Sequence, residues 1–120
     1  MKLAITASGK DLEATIDPRF GRAAYFVLVD SETMAVKVVN NSQSLDLPQG
    51  AGIQAGQTIV KNKVDVLITG NCGPKAFQVL QSAGIEIITG ASGKVKDAVM
   101  HYKEGKLKSA SAPNVEGHWV

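Results

Sequence analysis

One stretch constrains this chain more than any other: Val64-Asp65-Val66-Leu67-Ile68-Thr69-Gly70-Asn71-Cys72-Gly73-Pro74-Lys75-Ala76-Phe77. Its apolar run is short and β-branched, which suits a strand buried on both faces. Pro74 fits the first position of a helix, where its missing N–H costs nothing. Ala76, Phe77, Leu80 and Ala83 then recur at helical spacing, and Gly84 supplies a stop. The stretch therefore reads as a buried strand, a tight glycine-bounded turn and the first turn of a helix. Between strand and helix, Gly70 and Gly73 allow strained angles or close approach of a ligand. The chain's only cysteine, Cys72, sits in that turn. Strand, glycine turn and helix N-terminus together form a cradle for an anion, with amide donors and the positive end of the dipole facing it.

The remaining elements follow from periodicity. Residues 2–7 read as a first strand that ends at Ser8-Gly9. A polar loop leads through Thr15-Ile16-Asp17-Pro18-Arg19-Phe20-Gly21-Arg22, where Asp-Pro opens a turn and Gly21 permits a second bend. Tyr25–Asp30 is a strand, and Met34–Asn40 returns from it, so residues 24–40 form a hairpin. Lys37 between Val36 and Val38 marks an edge strand. Residues 41–52 read as loop, with a second glycine-rich helix start at Gln49-Gly50-Ala51-Gly52. The spacing then predicts a helix over 53–63. Ile68, Thr69, Gly70, Gly73 and Val79 reappear 20 positions later as Ile88, Thr89, Gly90, Gly93 and Val99. That echo predicts two strand–turn–helix units with similar turns. Ile85–Thr89 is the second strand, Ser92 is placed to cap the last helix, and Gly105 ends it. Residues 106–120 read as a short extended or partly disordered tail.

This order predicts one mixed five-stranded sheet, 3-2-1-4-5, with helices on both faces, an arrangement resembling the ribonuclease H-like fold. Ligands of such sheets sit beyond the carboxyl ends of the parallel strands. That edge would gather Ser8-Gly9, the Arg19–Arg22 loop, the Asn71-Cys72-Gly73 turn and the Ala91-Ser92-Gly93 turn.

Composition excludes several roles. The 120 residues suffice for one domain with a core that needs no disulfide. A formal charge of +2 with scattered Lys and Arg does not predict nucleic-acid or membrane binding. Aromatic residues make up only 5%, too few for a base-stacking platform. One cysteine fits a reducing cytoplasm. The N-terminus is too short for a signal peptide and reads as a strand instead.

The chemistry is correspondingly sparse. Cys72 at a helix N-terminus is a candidate soft-metal ligand. Packing as a small buried hydrophobe is the more frequent fate of a free cysteine, and the residues alone favour it. One thiol holds neither zinc nor a four-cysteine cluster. His101 and His118 match no metal motif. Arg19 and Arg22 read by default as solvated charge. The first strand contains no acid, and Asp65 and Glu86 begin their strands far from the carboxyl edge, so a two-metal nuclease lacks its carboxylates. No Ser–His–Asp arrangement is present.

Three motifs in combination carry a family resemblance: Asp17-x-Arg19-Phe20-Gly21-Arg22-Ala23, Gly50-Ala51-Gly52-Ile53-Gln54-Ala55, and Val66-Leu67-Ile68-Thr69-Gly70-Asn71-Cys72-Gly73-Pro74-x-Ala76-Phe77. The chain resembles the dinitrogenase iron–molybdenum cofactor biosynthesis family, small domains of ribonuclease H-like fold, over nearly its whole length. Many members place a His just before the Gly-Ala-Gly segment, where this chain has Gln49. The resemblance implies a non-catalytic carrier of an iron–molybdenum cofactor-like or iron–sulfur cluster. Arg19, Arg22, Gly70, Asn71, Cys72 and Gly73 would form its site, with Cys72 as the metal ligand. Taken with the composition, the expectation is a cytoplasmic monomer or weak dimer working with cluster-assembly proteins, and no contact with nucleic acid or membrane. The reading from another class is a small-anion or protein-interaction regulatory module without metal.

Overall fold

The first strand, β1 (Lys2–Ala7), is buried from Leu3 onward, and the sheet assembles on either side of it. The computed structural model describes residues 1–41 and 50–114. β2 (Tyr25–Asp30) pairs antiparallel with β1 from Lys2↔Asp30 to Ala7↔Tyr25. On the other side β4 (Val66–Ile68) pairs parallel with β1, and β5 (Glu86–Ile88) parallel with β4. β3 (Val36–Asn40) completes the hairpin, giving the expected order β3-β2-β1-β4-β5.

Alternation along these strands builds two cores, because successive side chains leave opposite faces of the pleat. Ala4, Phe26, Leu28, Leu67 and Ile87 face α1 (Ala51–Lys61) and α2 (Pro74–Ser82). Leu3, Ile5, Val27, Val29, Val66, Ile68 and Ile88 face α3 (Val95–Lys103). The molecule is therefore a three-layer α/β sandwich. Small residues bring α1 and α2 together: a Cβ on Gly56 would lie 3.1 Å from Val79 Cγ1. Since α1 leads into β4 and α2 leaves it, both helices begin at the carboxyl edge of the sheet.

Local chemistry moved several boundaries. α1 begins at Ala51 rather than 53, because Gly50 takes a left-handed conformation (φ 81°) and starts the helix itself. It ends at Lys61, where the Asn62 N–H and side-chain amide turn back to carbonyls of the last turn. β3 begins at Val36 rather than 34. Asp30 Oδ1 accepts the N–H groups of Glu32 and Thr33, and Met34 adopts a left-handed angle to close the turn. Ser92 does not cap α3. Its first N–H groups, from Val95 and Lys96, donate instead to the carbonyls of Ala14 and Leu12. The two echoed turns also differ: Gly90 and Gly93 are left-handed, whereas Gly73 is extended and Gly70 is not left-handed.

Candidate functional site

The carboxyl ends of β1 and β4 are joined by a buried pair of hydroxyls. Thr6 Oγ1 lies 2.7 Å from the Asp17 carbonyl oxygen and 2.9 Å from Thr69 Oγ1. Each hydroxyl has one proton. Thr6 gives its proton to Asp17, and Thr69 donates to Thr6. The Asp17 N–H returns to the Thr6 carbonyl at 2.9 Å. The 15–17 segment is thereby fixed to the end of the sheet.

From there the chain crosses directly over the Gly70 turn. The Asn71 N–H donates to the Pro18 carbonyl at 2.6 Å, and the Phe20 N–H donates to the Asn71 carbonyl at 3.1 Å, a parallel bridge centred on Arg19 and Asn71. Gly70 permits this contact because a Cβ there would sit 2.7 Å from Pro18 Cα. Asp17 Oδ1 accepts the Arg19 N–H and holds the loop's bend. Phe20 is fully buried below it, stacked on Phe26 with centroids 5.6 Å apart. The arginine loop and the cysteine turn, far apart in sequence, form one rim.

The expected residues occupy that rim unequally. The Arg19 side chain is 53% exposed, and its Nε is 4.0 Å from Asp17 Oδ1, a separation that leaves the guanidinium largely solvated. Arg22 is half-buried three residues on, between Gly21 and Ala23, whose carbonyls accept the buried Asn41 amide. Asn71 is half-buried, and Gly70, Cys72 and Gly73 are buried. The Asn71 and Cys72 amides already have acceptors, in Pro18 and in Asn114 Oδ1 at 2.8 Å. The N–H groups of Gly73, Lys75 and Ala76 have no protein acceptor among the described residues. They open the α2 dipole at the rim, and the first turns of α1 and α2 contain no acid to offset it.

Cys72 belongs to the core beneath α1 and α2 and has no exposed surface. The helix N-terminus favours a thiolate, but burial dominates and pushes the thiol up to about 12. The folded protein thus keeps the proton through pH values at which an unfolded cysteine loses it. Stability is therefore expected to be intact below pH 9 and to fall between about 9 and 12, with a slope approaching about 1.4 kcal/mol per pH unit. Urea titrations across that range should show the slope reduced in Cys72→Ala, whereas an unchanged slope would place the titration elsewhere.

Asn114 is a residue of this candidate site that sequence reasoning missed. Its side-chain Nδ2 donates to the Gly70 carbonyl and to Asn71 Oδ1, both at 3.1 Å, and its N–H donates to the Cys72 carbonyl at 3.2 Å. No spacing or motif signals a contact across 42 residues of sequence.

The other edge loops are closed. The Ala91 N–H donates to the Thr69 carbonyl, and the Gly93 carbonyl accepts the Ile16 N–H. Ser8 hydrogen-bonds Thr15. Beside α3, Glu13 takes Lys94 and Lys96 at 2.9 and 2.8 Å, which hold its carboxyl down to about 2. Among the described residues, no three His, Cys, Asp or Glu side chains are grouped to hold a metal ion, and no helix is long and apolar enough to cross a membrane. His101 is exposed on α3, while Gln49 and His118 lie outside the described residues.

Comparison with known proteins places this geometry among relatives. Residues 1–105 match the family described as dinitrogenase iron–molybdenum cofactor. The apo form of the orange protein from Desulfovibrio gigas is 47% identical, covers 95% of this chain and 96% of its own, and superposes with a TM-score of 0.93. A putative NifB protein from Thermotoga is 34% identical, with 97% and 98% coverage and a TM-score of 0.82. An uncharacterised protein of Methanocaldococcus jannaschii is 27% identical over 111 residues, 90% of each chain.

Proposed function

This chain belongs to the dinitrogenase iron–molybdenum cofactor family, and we propose that within it the protein is a non-catalytic carrier of an anionic cluster, of iron–molybdenum cofactor or iron–sulfur type. The observation that carries the reading is the Arg19–Asn71 junction. It holds the backbone of Arg19, whose guanidinium is largely solvated, against the turn that leads into the acid-free N-terminus of α2, where the Gly73, Lys75 and Ala76 N–H groups have no acceptor among the described residues. Such a rim binds sulfide or oxo groups of a cluster by charge-assisted hydrogen bonds, without a protein–metal bond. Arg22 adds charge to the same loop. Gly70 and Asn71 serve by holding the turn, and Gly73 by its N–H. Cys72 becomes a soft ligand only if the turn opens, since its thiol is buried and protonated as the protein stands. That a relative is described in an apo form supports a cargo that comes and goes.

We read the sandwich as ribonuclease H-like and residues 1–120 as one domain. The protein would act in the cytoplasm as a monomer or weak dimer, with cluster-assembly proteins rather than nucleic acid or membrane as partners.

Anaerobic incubation with ferrous iron and sulfide, followed by absorption spectra and iron analysis, tests the carrier. Wild-type protein is expected to retain coloured iron, and Arg19→Ala to bind about tenfold or more weakly, the usual scale of a hydrogen bond to a charged group. No retained iron, or equal retention by Arg19→Ala, would overturn it. The buried thiol also favours a second reading, a metal-free module that binds a small anion at the same rim. That reading requires no iron and a silent Cys72→Ser.

A further inference from the structure

We propose that residues 106–114 form a latch over the cysteine turn, with Asn114 as the residue that keeps it shut. After α3 ends, the chain doubles back along the outer edge of β5. The Ser109 hydroxyl bonds the Glu86 carboxylate, and the Ala110 N–H donates to the Ile87 carbonyl. Asn114 then meets the turn as a peptide group would. Its carboxamide accepts from the Cys72 N–H and donates to the Gly70 carbonyl, while its own N–H reaches the Cys72 carbonyl.

Two observations mark this segment as a latch rather than a part of the core. Hydrogen bonds hold it more than burial does: Leu107 and Ala110 pack only partly on the cores, and Asn114 is exposed although Cys72 beneath it is not. Segments with little apolar burial open at a fraction of the global unfolding cost. The family match also ends at residue 105, where the segment begins.

The consequence is competitive. The Cys72 N–H cannot serve Asn114 and an incoming acceptor at once, and Ala110 of the segment packs against the same buried cluster that holds the Cys72 side chain. This assigns the carrier site its control, and it rests on the carrier reading only for what the open turn would receive. The latch itself is a property of the free protein.

Because Cys72 is the single cysteine and Asn114 holds its backbone on both sides, its reaction with an aromatic disulfide reagent reports release of the turn. In the 120-residue chain under native conditions, Asn114→Ala is expected to react about tenfold or more faster than wild type. The rate should be flat across low urea, the mark of local opening. Ala110→Pro removes the donor to Ile87 and should accelerate the reaction as well, with far-UV circular dichroism reporting that both variants stay folded. Unchanged rates in both variants, or rates that climb with urea in step with global unfolding, would overturn the latch. Iron retention is scored separately. Fast thiol kinetics without retained iron would keep the latch and remove the carrier, and the reverse pattern would do the opposite.

Discussion

Gly70→Ala is expected to destabilise the protein by about 2–4 kcal/mol, the sum of an overpacked contact and weakened buried hydrogen bonds. The added Cβ would lie 2.7 Å from Pro18 Cα and 2.8 Å from the Pro18 carbonyl oxygen. Both are backbone atoms, so no side-chain rotation relieves the overlap. The loop cannot retreat cheaply either. Asp17 is tied to Thr6, and Phe20 to Asn71. The strain must therefore open the Arg19–Asn71 bridge, and iron retention should fall with it. Gly90→Ala is the informative comparison. There a Cβ meets nothing within 4 Å, but φ is +80°, so the cost is conformational and only about 1–2 kcal/mol. Urea unfolding of the two variants separates the causes. A Gly70→Ala protein as stable as wild type would show that the two loops do not touch as described.

Phe20→Ala is expected to cost about 3–5 kcal/mol, as large-to-small changes of buried aromatics do. For a domain of this size that is a large share of a total stability of about 5–15 kcal/mol. Phe20 has no exposed surface and stacks on Phe26, so its removal leaves a cavity below the arginine loop. Phe20→Leu should cost less, about 1–1.5 kcal/mol, because much of the volume is retained. Cluster binding should follow loop order. Folded Phe20→Ala protein is expected to retain less iron than Phe20→Leu, since Arg19 loses the anchor beside it. A loss of under about 1 kcal/mol in Phe20→Ala would contradict the burial.

The strands, helices and sheet order were legible because each rests on local periodicity: the apolar run at 66–68, the helical spacing after Pro74, and the paired runs at 25–40. The meeting of the Arg19 loop with the Cys72 turn was legible too, since crossover connections bring both to the carboxyl edge of the sheet. The misplaced boundaries came from turn chemistry. Gly50 and Met34 adopt left-handed angles, and α3 is capped by carbonyls of a distant loop rather than by Ser92.

By itself, the sequence determined the element order, the two-faced core and the grouping of glycine, arginine and cysteine at one rim, because residue period and connection length decide these. Only the tertiary structure decided which groups at that rim remain available. Pro18 takes the Asn71 amide, Asn114 takes the Cys72 amide, and burial keeps the thiol protonated. Hydrogen-bond saturation and desolvation depend on neighbours remote in the chain, and no local pattern encodes them.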